Sequence, residues 1–161
     1  MTPTQLARDA LAGQITPRKI YLASSWRNIQ QPEAVRSLRA AGHEVYDFRN
    51  PPAGIENGFR WSELDEQWQS WSAATYREAL KKPLAQRDFN SDFDGMKWAD
   101  VGLLLLPCGR SAHLELGWMI GAGKQTIIWT RDGEGPELMA LLADTICITL
   151  DEVLKALESM P

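Results

Sequence analysis

One carboxylate stands where the surrounding residues would not place a charge. From Ser111 to Gly123 the chain reads Ser-Ala-His-Leu-Glu-Leu-Gly-Trp-Met-Ile-Gly-Ala-Gly, and Glu115 is its one formally charged side chain. Leu114, Leu116, Trp118, Met119 and Ile120 leave no broad polar face, which predicts a helix buried nearly all round. A carboxylate there must be hydrogen-bonded, paired or functional, because burying it alone costs several kcal/mol. A bridge to Arg110 or a capping role is the structural alternative. The functional one draws on position, since the helix follows directly on the apolar run Val101–Leu106. Asp92 and Asp94 are read at the start of the preceding helix, where aspartates also cap and oppose the dipole. Asp100 reads as a turn residue. Cys108 and His113 stand five apart without a supporting rule, and are read as packing. Gly121-Ala122-Gly123-Lys124 follows a helix instead of opening one, so it is a C-cap and no phosphate loop.

Carboxylates matter more because other reactive groups are scarce. The chain has two cysteines, Cys108 and Cys147, and two histidines, His43 and His113, in 161 residues. That excludes a multi-ligand zinc site or a disulfide framework as an expectation, and no metal or cofactor is expected. Seven tryptophans offer faces for a flat ligand. A net charge of −4 argues against a nucleic-acid polymer as partner, although one or two arginines suffice for a single phosphate. No apolar run nears the ~20 residues a bilayer demands, so no membrane partner is expected. The amino terminus lacks a basic segment followed by an apolar one, and the cysteines are unpatterned. A cytoplasmic protein is the expectation.

Helices and strands alternate along the chain. Thr4–Gly13 reads as a helix, Lys19–Ser24 as a strand, Pro32 to Gly42 as a helix and His43–Asp47 as a strand, a βαβ unit with parallel pairing. Pro51, Pro52, Gly54 and Gly58 mark a loop. Trp61, Leu64, Trp68 and Trp71 then fall on one face of a helix, either packed on the sheet or capping a binding site. A further helix covers Ala73–Lys82 and another Ser91–Trp98. Val101–Leu106 reads as a central strand, Ala112–Ala122 as a helix, Thr126–Trp129 as a strand and Pro136–Leu142 as a helix. Thr145–Thr149 is the last strand and Asp151–Leu157 the closing helix. The pattern predicts one α/β domain over residues 1–161, a doubly wound, mostly parallel five-stranded sheet with helices on both faces, flavodoxin- or Rossmann-like. A tryptophan-rich helical insertion is expected at about 50–90. Ligands of such sheets bind beyond the strands' carboxyl ends, here at Ser24–Asn28, the turn after Tyr46, and Pro107–His113. Trp26 and the Trp61–Trp71 face are expected beside a ligand; Trp98, Trp118 and Trp129 are expected in the core.

Lys19-Ile20-Tyr21-Leu22-Ala23, then Asp92 with Ala99-Asp100, then Glu115-Leu116-Gly117 and Gly123-Lys124 resemble the nucleoside 2-deoxyribosyltransferase superfamily. That group includes the 2′-deoxynucleoside 5′-monophosphate N-glycosidases. The resemblance runs from about Lys19 to Trp129 and implies a doubly wound α/β fold, a nucleoside or nucleotide as small-molecule substrate, and a homo-oligomer. It implies Glu115 as nucleophile at the anomeric carbon, Asp92 as the group that protonates or positions the departing base, and Tyr21 as the residue orienting the nucleophile. A retaining glycosidase works by the same logic. Ser24, Ser25, Trp26 and Arg27 of the first loop, with Gly109, Arg110 and Ser111 of the other, are the expected substrate-binding residues. The first loop is not glycine-rich here, and no asparagine follows Asn90 to serve a neighbouring subunit as in the transferases. Two other readings stand beside this one. They are an NAD glycohydrolase resembling the TIR type, and a nucleotide-binding module without catalysis.

Overall fold

The computed structural model describes residues 15–52 and 58–161; the expected Thr4–Gly13 helix and Gly54 lie outside them. Strand β1 (Lys19–Ala23) leads into helix α1 (Gln31–Ala40), opened by Pro32, and then β2 (Glu44–Tyr46). Two 3-10 turns, Trp61–Glu63 and Trp68–Ser70, precede α2 (Ala73–Ala79) and α3 (Pro83–Trp98). Strand β3 (Val101–Leu105), helix α4 (Arg110–Gly121), β4 (Gln125–Trp129), a 3-10 turn (Leu138–Leu142), β5 (Thr145–Cys147) and α5 (Leu150–Ser159) complete the chain. All five strands are parallel, in the order β2-β1-β3-β4-β5. This is the flavodoxin-like doubly wound sheet, whose strand order reverses between β1 and β3.

Alternation along the strands divides the core in two. Ile20, Leu22, Val101, Leu103 and Leu105 face α1 and α5, meeting Val35, Leu38, Val153 and Leu157. Tyr21, Ala23, Tyr46 and Leu104 face the other way, toward Met96 of α3 and Leu116 and Met119 of α4. Both tyrosines therefore lie under the same two helices that carry Asp92 and Glu115.

Four expectations are corrected. The Trp61–Trp71 stripe forms no continuous helix. Glu63 accepts from the Arg60 N–H, and Asp65 accepts from the Gln67 N–H and the Trp71 indole, so side chains satisfy the backbone locally and break the stripe into turns. Helix α3 starts at Pro83 instead of Ser91, because proline at the first helical position forfeits no hydrogen bond. Helix α4 is not buried all round: Ala112, Leu116 and Met119 face the sheet, while Leu114 is 76% exposed. The segment after Pro136 is a five-residue 3-10 turn rather than an α-helix.

Trp98 and Trp118 are also not core residues. Trp98 lies on the surface beside the Lys19 ammonium, and Trp118 packs edge-on against Phe93. Trp129 does pack on the core. No helix among the described residues is long and apolar enough to cross a membrane.

Candidate active site

Three loops meet at the β1/β3 switch point and are tied together there. The Asn28 amide donates to the Ser24 hydroxyl at 3.1 Å and to the Pro107 carbonyl at 3.2 Å, joining the loops after β1 and β3. Arg49, just beyond β2, donates to the carbonyls of Ser25, Trp26 and Asn28 at 3.1, 2.8 and 2.9 Å. Trp26 is thereby fixed. Its ring lies against the Arg49 and Arg60 guanidiniums at 5.4 and 5.1 Å and meets Phe48 edge-on.

Beside these loops two cavities adjoin. One, of about 470 Å³, is walled chiefly by aromatic and aliphatic side chains, among them Phe59, Trp61, Phe89, Phe93, Leu114 and Trp118. The other, of about 740 Å³, is more polar and contains Arg27, Arg60 and Arg110. Asp92, Glu115, Ser111, Phe59 and Trp61 line both. The two carboxylates therefore stand at the junction. All seven expected substrate-binding residues, Ser24, Ser25, Trp26, Arg27, Gly109, Arg110 and Ser111, line the polar cavity.

The structural alternatives for the two carboxylates do not fit their positions. Asp92 lies in the third turn of α3, too far from the N-terminus to cap it. Glu115 lies in the second turn of α4 and makes no ion pair among the described residues, with Arg110 or any other cation. Burial raises the Glu115 carboxyl to about 7, helped by the negative charge of Asp92 and opposed by Tyr21. Burial likewise raises Asp92 to about 6; the Tyr46 hydrogen bond opposes this and the Asp88 charge adds to it. Two carboxyls titrating near neutrality in one pocket are suited to acid–base work.

Beneath them is a pair of tyrosines. Tyr21 and Tyr46 are register partners on β1 and β2, with ring centroids 5.1 Å apart and planes 12° from parallel. The Tyr46 hydroxyl donates to Asp92 Oδ1 at 2.8 Å and lies 3.0 Å from the Ser91 hydroxyl. The Tyr21 hydroxyl is buried and closes no hydrogen bond of full geometry, yet lies near enough to Glu115 to favour its ionised form. Its own pKa is pushed well up by burial and then by the charges of Glu115 and Asp92, so it stays a neutral donor. Tyr21 lines neither cavity and lies beneath the two carboxylates.

Gly95 makes this arrangement possible. A Cβ at that position would come within 2.7 Å of the Tyr46 ring, so only glycine lets α3 settle there with Asp92 over the hydroxyl. Tyr46 escaped the sequence reading, although its place opposite Tyr21 in parallel register was available as a signal. Phe59, Arg60, Asp88, Phe93 and Trp118 were missed as site residues because they come from irregular or apparently buried segments.

Cys108 does not form a thiol–imidazole pair able to react. Its sulfur is 3.6 Å from His113 Nδ1, but that nitrogen is 2.9 Å from the Gly109 carbonyl, to which its proton belongs. Burial, then the charges of Glu115 and Glu134, push the thiol up to about 12.

No protein-family model and no curated protein matches this chain. Among solved structures it is similar to a 2-deoxyribosyltransferase from the psychrotolerant bacterium Bacillus psychrosaccharolyticus. The identity is 22%, the match covers 88% of this chain and 91% of that one, and the TM-score is 0.59. A CMP N-glycosidase of Clostridium botulinum aligns at 17% identity over 86% of this chain and 97% of its own, with a TM-score of 0.47. The first of these likenesses shows a shared fold.

Proposed function

We propose that this protein cleaves or transfers at the N-glycosidic bond of a deoxynucleoside or deoxynucleotide, with Glu115 as nucleophile. The observation that carries the reading is the placement of Asp92 and Glu115 together where an apolar cavity meets an arginine-bearing one. A flat base fits the first, and the sugar with a 5′-phosphate fits the second. The fold shared with a 2-deoxyribosyltransferase supports this.

The geometry supports a double displacement. Ionised Glu115 forms a bond to the anomeric carbon as the carbon–nitrogen bond breaks, and its charge stabilises the oxocarbenium-like transition state. Protonated Asp92 gives its proton to the leaving nitrogen. Water, or the nitrogen of a second base, then attacks the anomeric carbon and frees Glu115, with Asp92 taking up the proton of the attacking group. Tyr21 holds the ionised nucleophile and Tyr46 holds Asp92.

The competent state carries one proton on the carboxyl pair; in the free site it rests mainly on Glu115, the higher of the two, and the reaction runs through the form that has it on Asp92. kcat/KM is therefore expected to be bell-shaped, falling below about pH 6 as both carboxyls protonate and above about pH 7 as both ionise. Tyr46→Phe removes the bond that favours ionised Asp92, so Asp92 holds its proton longer. Asp92 is the lower of the two carboxyls and sets the acid limb, so that limb should move up by about half a pH unit or more. A packing defect alone would lower the rate and leave that limb where it was.

Incubation with a panel of deoxynucleosides, their 5′-monophosphates and NAD, with and without a second free base, tests the reading. Free base released from the nucleosides or nucleotides supports it, and exchange into the added base identifies a transferase. Nicotinamide release in its place would move the protein to NAD cleavage, and inertness toward all of them would leave a binding module. Arg27 and Arg110 supply the phosphate preference in this reading. Arg110→Ala should raise KM for monophosphates by about tenfold or more while changing KM for nucleosides little.

A further inference from the structure

The stripe of α3 that faces the apolar cavity consists of Ala85, Asp88, Phe89, Asp92, Phe93 and Met96. It holds two carboxylates, and only Asp92 adjoins the nucleophile. Asp88 lies one turn earlier and is 4% exposed, and the carboxylate charge acting on Glu115 is that of Asp92. Its Oδ2 accepts from Arg87 Nε and Nη2 at 3.2 and 2.9 Å, from a side chain that is itself half exposed. Its Oδ1 accepts no hydrogen bond among the described residues. Asp88 lines the aromatic cavity, and a carboxylate oxygen there that takes no protein donor can accept one from a bound molecule.

We propose that Asp88 reads the far edge of the base, selecting substrates with an amino group opposite the glycosidic nitrogen. This inference rests on the base occupying the apolar cavity with its glycosidic nitrogen at Asp92 and Glu115. Four residues separate Asp88 from Asp92, a rise of about 6 Å along α3, which leaves room for a base to lie between them from its glycosidic nitrogen to that group. A carboxylate is an acceptor only. Cytosine and adenine present an amine at this place and can donate to Oδ1. Uracil, thymine, hypoxanthine and guanine present a carbonyl oxygen, which the carboxylate repels. The substrate class is therefore cytosine or adenine deoxynucleosides and their monophosphates.

The test compares pairs that differ by one group: deoxycytidine with deoxyuridine, and deoxyadenosine with deoxyinosine. Base release by the wild-type protein should favour the amino member of at least one pair by about tenfold to a hundredfold in kcat/KM. Asp88→Asn replaces one acceptor by a donor, so the same ratio should fall by about tenfold or more, toward or past unity. Equal cleavage of both members in both pairs, or an unchanged ratio in the folded variant, would overturn the assignment. Calorimetric binding of free cytosine against uracil, and adenine against hypoxanthine, to the wild-type protein reads the same preference without catalysis or substitution. An amino preference in binding with no base released from any nucleoside would sink the glycosidic chemistry and leave Asp88 its role. Base release without any amino preference would do the reverse.

Discussion

Glu115→Gln is expected to lower base release by at least about 10³-fold and, at the same time, to make the protein harder to unfold at alkaline pH. The first effect follows from losing the nucleophile, since an amide oxygen does not form the covalent intermediate. The second follows from linkage. The folded protein raises the Glu115 carboxyl from 4.5 to about 7, so the folded state binds its proton more tightly than the unfolded chain does. Its contribution to stability is fully present below about pH 4.5 and is lost as pH rises through about 7. Above that range the buried charge costs on the order of 3 kcal/mol. Glutamine has the same shape and no charge, so the variant should melt about 5 °C or more higher at pH 8 and nearly with the wild type at pH 4. Thermal melts at the two pH values, beside a base-release assay, check both halves. Unchanged turnover in this variant would remove Glu115 from the mechanism.

Asp92→Asn carries the second large effect. Asparagine keeps the size of the side chain and can still accept from Tyr46, so the pocket should persist. The proton for the departing base is gone, and turnover of ordinary bases should fall by about 10²–10⁴-fold. A base that leaves without needing a proton should escape most of that loss. 7-Methyl-2′-deoxyadenosine has such a cationic leaving group and keeps the amino edge, and its cleavage by the variant should stay within about tenfold of wild type. Removing the Asp92 charge also relieves one of the influences that raise Glu115. The acid limb for that substrate should accordingly move to lower pH. Equal losses on both kinds of substrate would show that Asp92 shapes the pocket without donating a proton.

The parts of this picture that were legible in the chain are those governed by short-range periodicity. Lys19–Ala23 and Val101–Leu105 are unbroken apolar runs, and runs of that kind become central parallel strands. Glu115 was legible because its neighbours are apolar and it follows such a strand directly. Its environment was less so: apolar residues on α4 that look like core, Leu114 and Trp118, line a cavity instead. Composition does not distinguish a buried face from the wall of an apolar pocket. The tryptophan spacing misled for a related reason, since Asp65 and Glu63 bind nearby N–H groups more strongly than helical periodicity could organise them. Tyr46 and Asp88 depend on which helix face meets which strand, a relation between segments far apart in the chain.

The double displacement at Glu115 is tested most directly by the configuration of the first sugar product. With methanol added as acceptor, proton NMR can assign the methyl 2-deoxyriboside formed early in the reaction, before any later equilibration. Two successive displacements on Glu115 predict the β-anomer, the configuration of the starting nucleoside. An α-anomer would mean that the acceptor attacks directly, and would contradict Glu115 as the nucleophile.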